Sequence, residues 1–412
     1  LPADIIINIT RQAGGITQAG FGKPFILATD KDLAYAEYAS ISEVAVDYAV
    51  STIAYKIAAA LFSQEFQPPL IAIQGKLFTE DTAVDDESLS DSGDQTTWEF
   101  ANGNIKVDSI IDLQDNSVPI VAGDIASIDY VAGTITFTGT KVGPITADYS
   151  YHNDTTELVT ELNTIVNAND DWYFLLCDLA NYVVQDAFET WISTQTKEYF
   201  TRTDILPSVY PASLLSERLP MYYHATADEF LDGAIVGQGG PKDPGSLTWK
   251  NQRLNGITPN ELSTSDFNAI RAARWNTFIN SYGVGVTSDG LMTNTLFIDQ
   301  RRSQDFIKIR MEEAIASLLI NNDKVAYDDI GIAQIVGALE SVLNLAGAQG
   351  IIARKPDGKT FEFIVNFLTR AQIFATDPQA IADRILRSVT FQYVEAGAIE
   401  SAVVNGVVVG EL

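Results

Sequence analysis

Residues 79–152 carry no helical periodicity, whereas the stretches on both sides of them alternate short apolar runs with helix-period segments. That contrast limits the folds open to this chain more than any other feature. Before the break, Lys23 to Thr29 is an apolar run, and Ser40 and Glu43 stand three apart as a capping box ahead of a helical stretch. Ile53, Ile57 and Leu61 recur at helical spacing, and Leu70 to Ile73 reads as a buried strand after Pro68-Pro69. After the break, Leu158, Leu162 and Ile165 predict a helix, then an apolar strand around Phe174, then a long helix from about Asn181 to Tyr199. Within the break, Glu80, Asp81, Asp85, Asp86, Glu87, Asp91, Asp94 and Glu99 occur without a Lys or Arg, which predicts a solvated acidic loop. Its spacing lacks the glycine that an EF-hand calcium loop needs at its sixth position. Residues 134–138 and 145–151 then alternate apolar with polar, punctuated by Gly133 and Gly143-Pro144. The pattern predicts an α+β protein: a mixed α/β core with a small β-sandwich inserted at 79–152.

The remainder continues the mixed pattern. Met221 to His224 reads as a strand, Thr226 and Glu229 as a cap for the next helix, and Gly237-Gln238-Gly239-Gly240 as a flexible loop. Three helical patterns fill 260–350, one with Ile307, Met311, Ile315 and Leu318 on a single face and another opened by Asp328-Asp329, whose charges complement a helix N-terminus. Val389, Phe391 and Tyr393 alternate as a strand, and Asn405-Gly406 between valine runs signals a hairpin. The chain opens with the β-branched run Ile5, Ile6, Ile7 and Ile9, and closes with Val403, Val404, Val407 and Val408. A strand so close to a terminus has no local partner. Both ends therefore read as arms that pair elsewhere, with Gly14, Gly15, Gly20 and Gly22 as a hinge behind the first.

Composition excludes several functions. The 412 residues carry a net charge of −28, which repels phosphate backbones and anionic lipids, so neither nucleic acid nor membrane insertion is expected. Copies of so acidic a chain repel one another, and self-assembly must overcome this by burial and backbone pairing. No basic-then-apolar leader opens the sequence, so a cytoplasm is the expected site of synthesis. The single cysteine, Cys177, sits in an apolar run and reads as a buried thiol. Only two histidines occur, in different predicted domains: His152 ends an alternating strand and reads as exposed, His224 as a hydrogen-bonded core or edge residue. No G-x-S-x-G elbow or Walker A loop is present, and Gly283 and Gly285, near a predicted helix end, lack the third glycine of a dinucleotide fold. No catalytic, cofactor or metal residues are assigned. Against the acidic background, Arg301, Arg302, Lys308 and Arg310 form a basic cluster suited to an acidic partner surface.

Several stretches resemble one family. Ala19-Gly20-Phe21-Gly22-Lys23-Pro24-Phe25-Ile26-Leu27, the segment Asp243-Pro244-Gly245-Ser246-Leu247-Thr248-Trp249-Lys250 with Leu254-Asn255-Gly256, and the run from Gly283 through Asp299-Gln300-Arg301-Arg302 to Asp305-Phe306 are similar, in order and spacing, to contractile tail-sheath proteins of myovirus-type bacteriophages and related injection devices. Lys324 to Ile332 and Gly347-Ala348-Gln349-Gly350 continue the likeness. The resemblance implies a structural, non-enzymatic subunit without cofactor, stacked as hexameric rings around a tail tube, with baseplate and tail terminator proteins as further partners. It implies a virion tail assembled in the host cytoplasm, strand exchange between subunits through the arms, and contraction by lattice re-packing. The basic cluster then becomes a candidate tube-facing surface. The domain layout expected is an arm at 1–22, core at 23–78 and 153–396, insert at 79–152 and arm at 397–412. Two other classes compete with this one, an acidic α/β enzyme and a different virion structural protein.

Overall fold

Pro24-Phe25-Ile26-Leu27-Ala28 offers no polar face, and a strand apolar on both sides belongs inside a covered sheet. It is β1, buried at all five positions, in a computed structural model that describes residues 21–400. Parallel neighbours flank it: β3 (Ile71–Gly75) on one side and β12 (Phe174–Cys177) on the other, with Phe25 opposite both Ala72 and Leu175. β2 (Leu33–Tyr38) adds antiparallel to β3, and β13 (Glu198–Tyr199) adds parallel to β12, giving the order β13-β12-β1-β3-β2. The architecture is mixed α/β. The described residues fall into two units, 21–242 with 248–298, and 243–247 with 299–400.

Helices cover the central sheet of the first unit. α1 (Ile41–Asp47) starts at Ser40, whose Oγ accepts from Glu43 N while the Glu43 carboxylate accepts from Ala39 N at 2.7 Å, a reciprocal cap one residue out of the usual frame. α2 (Ile53–Phe62) buries Ile57 and Leu61. α3 (Thr156–Ala168) and α4 (Tyr182–Ile192) place Leu158, Leu162, Val184 and Phe188 in one core with Phe25, Trp172 and Leu175. α4 ends at Ile192, short of the expected Tyr199, because Glu198 and Tyr199 pair with Phe174 and Leu175 and the sheet ladder wins over helical continuation. The expected loop at Gly237–Gly240 is instead the buried end of α5 (Leu231–Gly239). A Cβ on Gly237 would lie 2.4 Å from Leu61 O, so this glycine permits close helix packing and is not a hinge. The Thr226 cap does not form either: Glu229 N bonds the Thr226 carbonyl, and α5 begins two residues after Glu229 with no side-chain cap.

Residues 81–152 form two four-stranded antiparallel sheets around a shared core of Trp98, Phe100, Ile135, Phe137, Ile145 and Tyr149. One sheet joins β4 (Asp81–Ser88), β11 (Ile145–His152), β7 (Ile111–Asp115) and β8 (Val118–Pro119). The other joins β5 (Ser90–Asp91), β6 (Thr97–Glu99), β10 (Thr134–Phe137) and β9 (Ile125–Asp129). The acidic stretch expected as a loop thus contributes three strands. Its backbone pairs with β11 and β10, which turn Ile135, Phe137, Ile145, Ala147 and Tyr149 into the core, while its own Asp85, Asp86, Asp91, Asp94 and Glu99 stay exposed.

A fourth sheet in this unit runs β14 (Thr201–Thr203), β15 (Met221–Tyr223), β16 (Asn276–Ser281) and β17 (Val284–Thr287), with α6 (Thr264–Ala272) preceding β16. Gly283 and Gly285 lie in the β16–β17 hairpin, not near a helix end. Tyr282 and Gly283 take φ values of 51° and 83°, the left-handed pair a tight two-residue turn requires. The second unit contains α7 (Ile298–Ile320, of which all but Ile298 belongs here), α8 (Asp329–Ala348), β18 (Phe363–Asn366), α9 (Arg370–Thr376), α10 (Pro378–Ala382) and β19 (Thr390–Tyr393). Asp328 caps α8 by accepting from Ile330 N and Gly331 N.

Candidate functional surfaces

The strands predicted to leave the chain, at Ile5, Ile6, Ile7 and Ile9 and at Val403, Val404, Val407 and Val408, lie outside the described residues. What the structure does place is a two-stranded antiparallel sheet in the second unit. β18 and β19 pair with Val365 opposite Phe391 and Phe363 opposite Tyr393. Among the described residues neither strand has a second strand partner, so each leaves one row of backbone donors and acceptors unladdered along its outer edge. Two strands alone are marginal in water. This pair is held because Val365 and Val389 pack against Ile332, Val336 and Ile373 of the neighbouring helices. Ile364 is 53% exposed on the other face.

Beside this sheet runs an apolar groove of about 790 Å³, floored by Ile307, Met311 and Ile315 of α7, Ile332 and Leu339 of α8, and Phe391 of β19. The α7 face that builds it was legible in the sequence, but the groove was not, because its second wall comes from Arg384 to Tyr393. Glu395 ties the end of β19 to α7, accepting from Gln300 at 3.0 Å and Gln304 at 3.2 Å.

The basic cluster is carried by α7, but its members sit in different environments. Lys308 is exposed, Arg301 and Arg310 are half-buried, and Arg302 is 1% exposed. Arg310 pairs with Glu313 at 2.6 Å, one turn on, and its guanidinium lies 5.3 Å from the Phe306 ring centroid.

The two histidines, expected in separate domains, line one cleft of about 440 Å³ in the first unit. His152 is buried, at 5% exposure, and not exposed as expected: its Nδ1 lies 2.5 Å from Asp81 Oδ1 and its ring stands edge-on to Tyr182. The reason is register. His152 is the direct cross-strand partner of Asp81, and a sequence separation of 71 hides that pairing. His224 is hydrogen-bonded as expected. Nδ1 accepts from Thr226 N and Nε2 donates to Thr258 O at 2.8 Å. Deeper in the fold, Cys177 is 2% exposed, and burial first, then the neighbouring Asp178, push its thiol well above the ordinary range.

No protein-family model matches the sequence, and no curated protein matches it. Solved structures do match, over nearly the whole chain. A chain of the anti-feeding prophage baseplate aligns with 99% of this chain and 98% of its own, at a TM-score of 0.60 and 11% identity. A chain of the PVC sheath complex, from an extracellular contractile injection system in its contracted state, covers 99% and 97% at a TM-score of 0.60 and 10% identity. The sheath tail protein of Desulfitobacterium hafniense covers 88% and 92% at 0.51 and 11%. The chain has the fold of sheath tail proteins and of contractile-injection-system sheath complexes.

Proposed function

We propose that this chain is the structural subunit of a contractile tail sheath, polymerising as stacked hexameric rings around a tail tube and shortening to drive that tube through an envelope. The observation that carries the reading is the end-to-end match to sheath complexes, 99% of this chain against 97% of a contracted sheath's. An acidic enzyme or an unrelated virion protein has no comparable support.

In this reading the arms at 1–22 and 397–412 leave the core, at 23–78 and 153–396, and add strands to the open edges of β18 and β19 in adjacent subunits. Backbone hydrogen bonds supply affinity, and alternating apolar side chains such as Ile5, Ile7 and Ile9, or Val403 and Val407, supply register. The inserted β-sandwich at 79–152, with its acidic outer strands, faces away from the tube. Arg301, Lys308 and Arg310 grip the tube in the extended lattice; Arg302, buried in this conformation, anchors the helix that carries them. Baseplate and terminator proteins bound the stack, in a virion tail assembled in the host cytoplasm. Contraction needs no nucleotide, because two lattice packings of different free energy suffice.

The test is removal of residues 1–10 and 401–412, separately and together. Each deletion is expected to leave the circular dichroism of the monomer unchanged and to abolish polymerisation. Polymers of normal length from the doubly truncated chain would remove the arms from the account.

A further inference from the structure

We infer that the hairpin tip at residues 354–359 is a basic docking point for the acidic surface of a second copy of this chain. The inference rests on the sheath reading and deepens it, since it names one surface through which copies meet. Arg354, Lys355 and Lys359 put three cations into six residues, a density that no other stretch of the 412 residues reaches, in a chain whose net charge is −28. All three are exposed, and among the described residues none of them is paired with a carboxylate.

The tip is built to hold these cations in place. Its limbs pair through the Arg354–Phe361 bridge, with Lys355 N donating to Thr360 O and Glu362 N to Ala353 O, both at 2.8 Å. Ala353 N donates to Val394 O and Val394 N to Glu362 O, both at 2.9 Å, so the hairpin stands on the residue that follows β19. Gly358 takes the left-handed φ of 67° that the turn requires, and its N–H donates to Lys355 O at 2.8 Å. Asp357, the only acid in the tip, accepts from Lys359 N at 2.8 Å, Thr360 N at 3.0 Å and Thr360 Oγ1 at 2.8 Å, so its carboxylate closes the turn. The Phe361 ring rests on Gly347 of α8, where a Cβ would lie 2.3 Å from it, and the Arg354 guanidinium lies 4.9 Å from the centroid of the same ring.

Charge selects the partner. Solubility does not explain the cluster, because the acids of the chain already supply it. With 54 acidic and 26 basic residues, the surface that a second copy presents is predominantly acidic, and an unpaired basic tip is complementary to it. Copies that otherwise repel one another need such a local attraction to set their register. A preformed hairpin also loses little conformational freedom on docking. The basic patch of one copy and the acidic patch of the next are different surfaces, so the contact is heterologous, the kind that propagates into rings or helices.

Zero-length carbodiimide cross-linking of a mixture of isotopically heavy and light full chain tests the contact, with light scattering reporting self-association. The expected products are peptides that join Lys355 or Lys359 of one isotope to an Asp or Glu of the other. Lys355→Glu with Lys359→Glu should raise the concentration needed for self-association at least about tenfold at about 0.1 M salt, and the gap should close at about 1 M, where the Debye length falls to about 3 Å. Arg253→Glu with Lys324→Glu makes the same change of net charge at exposed residues elsewhere and should raise that concentration less than about threefold. No heavy–light cross-links from the tip, an equal loss in the Arg253 and Lys324 control, or an effect seen only with tail tube present would overturn the proposal. The sheath reading fails separately: cross-links without cylinders would leave the tip contact standing, whereas cylinders formed equally by the wild type and the tip variant would remove the contact alone.

Discussion

Replacing Arg202 by methionine tests whether β14 is fastened electrostatically to β12 and α5. Arg202 is 7% exposed on β14, and Asp232, at the start of α5, is 0% exposed. The guanidinium donates from Nη1 to Asp232 Oδ2 at 2.8 Å and to Cys177 O at 3.3 Å, and from Nη2 to Asp178 O at 3.0 Å. It therefore fastens one strand to a helix and to the end of β12. Methionine keeps most of the stem but leaves a buried carboxylate without its counter-charge and two carbonyls without a donor. Breaking a buried pair from one side costs about 3–5 kcal/mol, since the surviving charge keeps its desolvation penalty. Arg202→Met should therefore lower the stability of this unit by about that much, and Asp232→Leu by a similar amount. The double variant, apolar on both sides, should lose far less than the sum, giving a coupling of about 2 kcal/mol or more. Urea unfolding followed by tryptophan fluorescence is a selective assay, because Trp98, Trp172, Trp191, Trp249 and Trp275, all five tryptophans of the chain, lie in this unit. A cost below about 1 kcal/mol for Arg202→Met, or additive losses in the double variant, would refute the reasoning.

Other outcomes follow from the same core. Burial pushes the Asp178 carboxyl up to about 6, against the opposing hydrogen bonds from Thr29 N and Oγ1. Because the folded chain then holds this proton more tightly than the unfolded one, stability should fall as pH rises from about 4 to 6, by up to about 1.4 kcal/mol per pH unit. Asp178→Asn should flatten that window in a pH series of urea midpoints, and an unchanged slope would contradict the assignment. Gly237→Ala should destabilise the first unit by about 1–3 kcal/mol, because its Cβ meets the backbone of α2 and overpacked contacts resolve only by backbone shift; a neutral or stabilised melting temperature would mean the helices are not in contact there. Native protein should react with a thiol reagent at Cys177 only as fast as it unfolds, with guanidinium-treated protein as the positive control.

Much of the framework was legible because local pattern and tertiary role agree. Phe25 to Leu27 and Phe174 to Cys177 are apolar at successive positions, and such runs fit only the covered interior of a parallel sheet. Ser40 with Glu43, and Asp328 ahead of α8, marked helix starts because capping is decided within four residues. What the sequence hid depends on distant partners. β4 reads as a solvated loop because Asp85, Asp86 and Glu87 are poor strand formers, and its pairing is visible only once β11 is placed beside it. The helix after Thr226 was expected, but the glycines at its end look like loop glycines unless one knows that α2 passes within van der Waals distance of them. His152 was misplaced for the same reason as β4, since cross-strand register and not its own neighbours determines its burial. Of the functional surface, the basic residues and the alternating strand around Phe391 could be read from the sequence. The groove beside them could not, because α7, α8 and β19 build it jointly.

Electron microscopy of the purified chain mixed with its tail tube, across a salt series, reads polymerisation into a contractile cylinder by eye. A sheath subunit should form hollow six-fold cylinders, favoured as salt screens the acidic surface. Monodisperse particles at every salt concentration, with the tube present, would contradict it.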